Sequence, residues 1–257
     1  MILFDSHAHL DDEALYSQIE DVLSRAKEAG VQYIVTIGQD IATSKKAIEI
    51  AHRYPNVYAT IGIHPNEVKK AQPSDLIELT KLIQDEKVVA VGEIGLDYHW
   101  DDSNKEAQKA YFITQIEMAY KYNKVINIHA RDAAQDTFEI LKSHKDKLKG
   151  CILHSYSFSK EMAKEFIKLG FYISLGGPVT FKNAKEPKIV ATTIPLDKLL
   201  IETDSPCLAP EPKRGTLNEP ANVRYVCECI ANLRGISSED VAEATTKNAL
   251  KVYGIKG

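Results

Sequence analysis

Residues 125–154 read VINIHARDAAQDTFEILKSHKDKLKGCILH. A run of mostly β-branched apolar side chains ends in His129. A stretch from Ala133 to Lys145 follows with apolar residues three and four apart, and a second apolar run, Cys151 to His154, ends in another histidine. The outer segments have the composition of short buried strands, and the middle one has the period of an amphipathic helix. Strand, helix and strand in this order make a βαβ unit, in which the long crossover leaves the two strands parallel.

The alternation continues in both directions. Further strand-like runs are Ile2 to Phe4, Gln32 to Ile37, Val57 to Ile63, Val88 to Glu93, Phe171 to Leu175 and Leu199 to Glu202. Helix-like stretches lie at Ser17 to Ala29, Ile41 to Tyr54, Ser74 to Glu86, Asn104 to Tyr122 and Ser159 to Leu169. Beyond the last strand, Asn222 to Leu233 and Glu239 to Tyr253 read as two closing helices, the second capped by Gly254. Eight strands alternating with helix-like stretches predict an α/β fold of the TIM-type (β/α)8 barrel class, which typically takes about 250 residues. The 257 residues therefore read as a single domain, 1–257, with no low-complexity tract or Gly/Ser linker to divide it.

Composition narrows the setting. With 44% hydrophobic and 26% charged residues the chain can bury a full core without disulfides. Its four cysteines include Cys227 and Cys229, too close in sequence to bridge within a helix or strand. The opening MILFDSHAHLDDEAL carries no basic leader, and no stretch approaches the roughly 20 apolar residues of a membrane span, so we expect a reduced cytoplasmic protein with no obligate protein partner. A net charge of -4 excludes a protein that coats duplex nucleic acid, which needs many Lys and Arg contacts to phosphate. Any nucleic-acid substrate must be gripped locally.

The residues capable of chemistry cluster at one end of this pattern. His7 and His9 follow the first strand, Glu93 ends the fourth, His129 the fifth and His154 the sixth, and Asp204 follows the eighth. In a parallel barrel all strand C-termini lie on one face, where the loops build the active site. In His7-Ala8-His9 both imidazoles point to the same side of an extended chain and can grip one ion. Glu93 sits at an apolar strand end, a costly place for a carboxylate unless a cation compensates it. Six ligands exceed what one catalytic zinc uses, so we expect two divalent ions. His7, His9, Glu93 and Asp204 would hold one, and Glu93, His129 and His154 the other. Four imidazoles favour zinc, manganese or nickel, with magnesium still open.

The strings DSHAHL, GIHP, VGEIGLDY, NIHARDA, ILHSYS, LLIETDSPCLAP and NEP, in this order, resemble the TatD family of metal-dependent deoxyribonucleases in the amidohydrolase superfamily. The resemblance implies a TIM-type barrel, two divalent metals and hydrolysis of DNA from 3' ends, with the same six ligands. It departs at Ser155, Tyr156, Ser157 and Phe158, where many members carry CFSG or SFSG. Many two-metal members of the wider superfamily bridge their ions with a carboxylated lysine from the fourth strand, and Glu93 stands in that place here.

On this reading Glu93 and Asp204 are the catalytic carboxylates, Asp204 taking the proton of the attacking water. His64 and Arg131, just past strand ends, are candidates to bind substrate phosphate. His64 could instead cap a turn before Pro65, and Arg131 could pair with Asp132 or Glu93. Lys182, Lys185, Lys213 and Arg214 lie in the loops where barrels often bind phosphate. The DNA reading has two rivals: a two-metal esterase or amidase such as an aminoacyl-tRNA deacylase, and a binding protein that uses metal only structurally.

Overall fold

The structure is a computed structural model that describes residues 1–100 and 103–257. Its elements in chain order are β1 (Leu3–Ala8), α1 (Glu13–Tyr16), α2 (Ile19–Glu28), β2 (Val31–Ile37), α3 (Ile41–Arg53), β3 (Val57–Ile61), α4 (Pro73–Leu82), β4 (Val88–Asp97) and α5 (Lys105–Lys121). They continue with β5 (Val125–Arg131), α6 (Ala134–Ser143), β6 (Cys151–Leu153), α7 (Lys160–Lys168), β7 (Tyr172–Leu175), α8 (Glu186–Thr193), β8 (Leu199–Ile201), α9 (Val223–Arg234) and α10 (Ser238–Tyr253).

The strands lie in sequence order in one sheet, each parallel to the next. The ring closes just beyond β8. There the Asp204 N–H donates to His7 O at 2.9 Å, and the His9 N–H donates to Ser205 O at 2.8 Å. This is the TIM-type (β/α)8 barrel that the alternation predicted.

Strand residues alternate between two apolar clusters, as a period of two requires. Leu3, Ile34, Ala59, Val91, Ile126, Leu153 and Ile173 pack with the surrounding helices. Phe4, Val35, Ala90, Val125, Ile152, Tyr172 and Leu200 form the other cluster and face the barrel interior, together with Ala249, Val252 and Tyr253 of α10. The C-terminal helix thus stoppers the N-terminal end of the strands. Its Asn248 side chain donates to Leu199 O, and the Tyr253 hydroxyl donates to Ser6 O at 2.9 Å while accepting from Asn127 Nδ2 at 3.0 Å.

Three differences from the sequence reading bear on the site or on the count of elements. The first strand runs to Ala8 and so contains His7, through a register shift between Asp5 and Ala8. The fourth runs on past Glu93 to Asp97, because β5 also extends and pairs with it up to Asp97 and Arg131. That pairing brings the backbones so close that a Cβ on Gly95, at φ +139°, would meet His129 O. The third difference is α8. Its eight residues include a proline and the β-branched Ile189, Val190, Thr192 and Thr193, which hide a helical period.

Candidate metal centre

Strand parity explains how the side chains converge. Ala90, Val125, Ile152 and Leu200 point into the barrel, so His129 (two steps of two beyond Val125), His154 and Glu202 follow them inward near its C-terminal end. Glu93 is fixed from both sides. Its N–H donates to Gly38 O at 2.8 Å, and Gln39 Nε2 donates to its Oε2 at 3.2 Å. Gln39 is held in turn by the capping box of α3, in which Asp40 and Thr43 bond reciprocally.

The two oxygens of Glu93 face different groups. Oε2 lies 3.6 Å from His7 Nε2 and 3.8 Å from His9 Nε2. Asp204 Oδ1 is 3.7 and 3.4 Å from those nitrogens, which are themselves 3.3 Å apart. Oε1 lies 2.9 Å from His129 Nδ1, 2.8 Å from His154 Nε2 and 3.4 Å from His64 Nε2. The six predicted residues are therefore brought together, with Glu93 between two sets.

The first set fits a cation. Its His7, His9 and Asp204 atoms lie 3.3–3.7 Å from one another, close to the edge of about 3.3–3.6 Å that a tetrahedral shell has with bonds of about 2.0–2.2 Å. Protons satisfy such a group poorly, because two imidazole nitrogens confront each other in a buried space.

The electrostatics show the same crowding. Burial would raise the Glu93 carboxyl, but His154, His64 and His129 hold it well below the usual range. Asp204 is likewise raised by burial, yet the His9 hydrogen bond with the charges of His154 and His7 leaves it lowered. Burial works against a charged His9, but Asp204 and Glu93 carry it up to about 9. His7 goes the other way, pushed down by burial and by His154, against which its ring is stacked at 3.8 Å.

Two carboxylates that the sequence reading left out lie behind the imidazoles. Asp97 Oδ2 is 2.9 Å from His129 Nε2, leaving Nδ1 for the centre, and despite burial its carboxyl is held down to about 2, chiefly by that histidine. Glu202 Oε1 lies 3.4 Å from His154 Nδ1 and accepts from the Ser155 N–H at 2.6 Å. A carboxylate behind a ligating imidazole fixes its tautomer and strengthens it as a ligand. Both sat in quoted strings, GLDY and LLIETDSP, and the signal for Glu202 was a charge at an inward position of an apolar strand.

His64 takes the capping part of the two alternatives. Its Nδ1 accepts from the Asn66 N–H and caps the turn at Pro65, while its Nε2 faces Glu93. Arg131 pairs with neither Glu93 nor Asp132: its guanidinium stands 5.3 Å over the Trp100 ring, and Asp132 bonds His99. Arg131, Trp100, His64 and the centre line one cavity of about 780 Å³. None of Lys182, Lys185, Lys213 and Arg214 lines it, and Arg214 packs on Phe181 instead.

A parallel barrel with imidazoles and carboxylates gathered at the C-terminal end of its strands has the layout of a metal-dependent hydrolase. The comparisons narrow it. Residues 4–254 match the family of TatD related DNases. The chain is 47% identical over 254 residues to the uncharacterized metal-dependent hydrolase YabD of Bacillus subtilis, covering 99% of this chain and 100% of the relative. It is 34% identical over 261 residues to the putative deoxyribonuclease tatdn3 of Danio rerio, covering 97% and 96%. Among solved structures, the TatD homologue YJJV of Escherichia coli K12 matches with a TM-score of 0.94 at 30% identity, over 99% of this chain and 98% of that one. The chain belongs to the TatD family of metal-dependent hydrolases.

Proposed function

We propose that this protein is a cytoplasmic deoxyribonuclease that removes nucleotides from the 3' ends of DNA with two divalent ions. The observation that carries the proposal is the division of Glu93, one oxygen toward His7 and His9, the other toward His129 and His154. On this reading His7, His9, Glu93 and Asp204 hold one ion and Glu93, His129 and His154 the other, the metal being zinc, manganese, nickel or magnesium. Ions bound there would supply Lewis acidity and make water acidic enough to attack at neutral pH.

The protein's own groups do the rest. Asp204, ionised and 17% exposed to the cavity, accepts the proton of the attacking water. Asp97 keeps His129 in the tautomer that presents Nδ1 to the centre, and Glu202 places its charge 3.4 Å behind His154. Arg131 contacts a phosphate at the mouth, and His64 contributes its inward nitrogen to the scissile phosphate. The family name and the relative's description as a putative deoxyribonuclease support DNA as substrate. The four free cysteines, two of them buried, support a reducing compartment.

The test is to incubate metal-reconstituted protein with end-labelled single- and double-stranded DNA, beside aminoacyl-tRNA and simple carboxylic esters. Shortening of DNA from the 3' end is expected. Ester or aminoacyl cleavage without it would transfer the site to the esterase reading. Because Arg131 is the one Lys or Arg lining the cavity among the described residues, few counterions are released on binding. With two or three phosphates gripped by the centre and Arg131, each contributing about -0.7 on a single strand, the slope of log affinity against log salt should be about -2.

A further inference from the structure

We propose that Trp100, backed by Arg131, is a base-stacking subsite that holds one unpaired nucleobase of a single strand beside the metal centre; the proposal rests on the DNA reading above. Trp100 is the protein's single tryptophan, and it is 71% exposed at the rim of the cavity. An indole left in water does nothing for the core, and its place on the cavity wall gives it a ligand to meet.

The geometry is that of a platform. Arg131 stands 5.3 Å over the ring, and the His99 ring meets it edge-on at 4.9 Å and 87°. With those contacts made, the exposure that remains leaves ring surface open for stacking. The support beneath is firm. The His99 N–H donates to Asp97 Oδ1, the His99 imidazole bonds Asp132, and the Tyr98 N–H donates to Arg131 O. Platform and centre share these strands, because β4 carries Glu93 and Asp97 below Trp100, and β5 carries His129 below Arg131.

Reach and chemistry both suit a nucleotide. The two-residue step from His129 to Arg131 along β5 rises about 7 Å, roughly two stacking steps of about 3.4 Å. A phosphate held at the centre therefore leaves a neighbouring base and its phosphate near Trp100 and Arg131. Indole stacking accepts any base and requires it to be unpaired, while the guanidinium adds charge. A base paired in a duplex cannot lie on the ring without first fraying, so the subsite makes the protein select single strands or frayed ends.

The experiment uses the metal-loaded protein with a phosphorothioate-linked single-stranded tetranucleotide, which resists cleavage, and reads the fluorescence of the lone tryptophan. Saturable quenching is expected with the tetranucleotide and none with dimethyl phosphate, a diester with no ring to stack; bis(p-nitrophenyl) phosphate, whose nitrophenyl groups quench tryptophan by themselves, serves only as the small diester for turnover. In parallel, Trp100→Ala should raise KM for a cleavable single strand about 10-fold or more while kcat on the small diester stays within about twofold. Trp100→Phe should recover most of the loss. Unchanged fluorescence at saturation, or a Trp100→Ala variant that keeps the wild-type KM, overturns the subsite while leaving the nuclease reading in place. A wild-type protein that hydrolyses the small diester but neither binds nor cuts the oligonucleotide overturns both.

Discussion

The two ends of this barrel are built from the same strands and solve opposite problems. At the N-terminal end α10 fills the opening with Ala249, Val252 and Tyr253, whose hydroxyl is neutral and paired with Ser6 O and Asn127 Nδ2, leaving Asn127 Oδ1 unpartnered there. At the C-terminal end, buried Glu93 is surrounded by His7, His64, His129 and His154, and buried nitrogens such as His7 Nδ1 have no hydrogen-bond partner. An unpaired buried polar group costs about 1–3 kcal/mol, so the upper end, with His7 Nδ1, His154 Nδ1 and Glu202 Oε2 unpartnered, gives up more stability than the lower, and the apolar core must offset it. The difference separates residues whose loss should unfold the protein from those whose loss should only silence it.

The most severe break is Glu93→Ala. Removing the shared carboxylate should lower turnover by about 10³-fold or more at saturating metal. The fold should survive, because the neighbouring imidazoles relieve their charge by losing a proton. Steady-state kinetics beside circular dichroism checks both halves. Wild-type turnover in this variant would sink the shared-carboxylate site.

Asp97→Asn is a finer cut through the same end. It keeps the shape of the side chain but weakens the hold on His129 Nε2, and loss of such a supporting carboxylate typically costs about 10- to 100-fold in metal affinity or activity. Competition with a chromophoric chelator measures it. An affinity within twofold of wild type would make Asp97 a turn residue whose side chain serves to hold His99 and Asn66.

Tyr253→Phe tests the opposite end. It strands the Asn127 amide and the Ser6 carbonyl in a buried site, at a cost of about 1–3 kcal/mol. In a chain of this size Tm should fall by about 2–4 °C for each kcal/mol, with kcat on a small diester unchanged. A fall in kcat at constant Tm would mean that the two ends are coupled. The smallest effect belongs to Cys207→Ser. Cys207 is exposed on the cavity wall and follows Asp204 by three residues, but it stands in no metal-binding group among the described residues. The variant should keep its full metal content by elemental analysis, and loss of one equivalent would reveal a missing ligand.

Several things were decided by the sequence alone. The alternation of short apolar runs with amphipathic stretches specifies parallel strands and crossover helices, because periods of two and 3.6 bury one face only in those conformations. The position of His7, His9, Glu93, His129, His154 and Asp204 at or near strand ends was legible for the same reason, since a parallel ring carries all such ends to one side. Asp97 and Glu202 escaped because their part depends on which way a strand's inward face turns and on how far β4 and β5 continue past the barrel. Pairing across strands sets both, and no local pattern records it. The tertiary structure alone divided Glu93 between two histidine sets, turned the two nitrogens of His64 to different partners and stood Arg131 over Trp100. Those are contacts between side chains from different strands and loops, whose separations of a few ångströms depend on the closure and register of the whole ring.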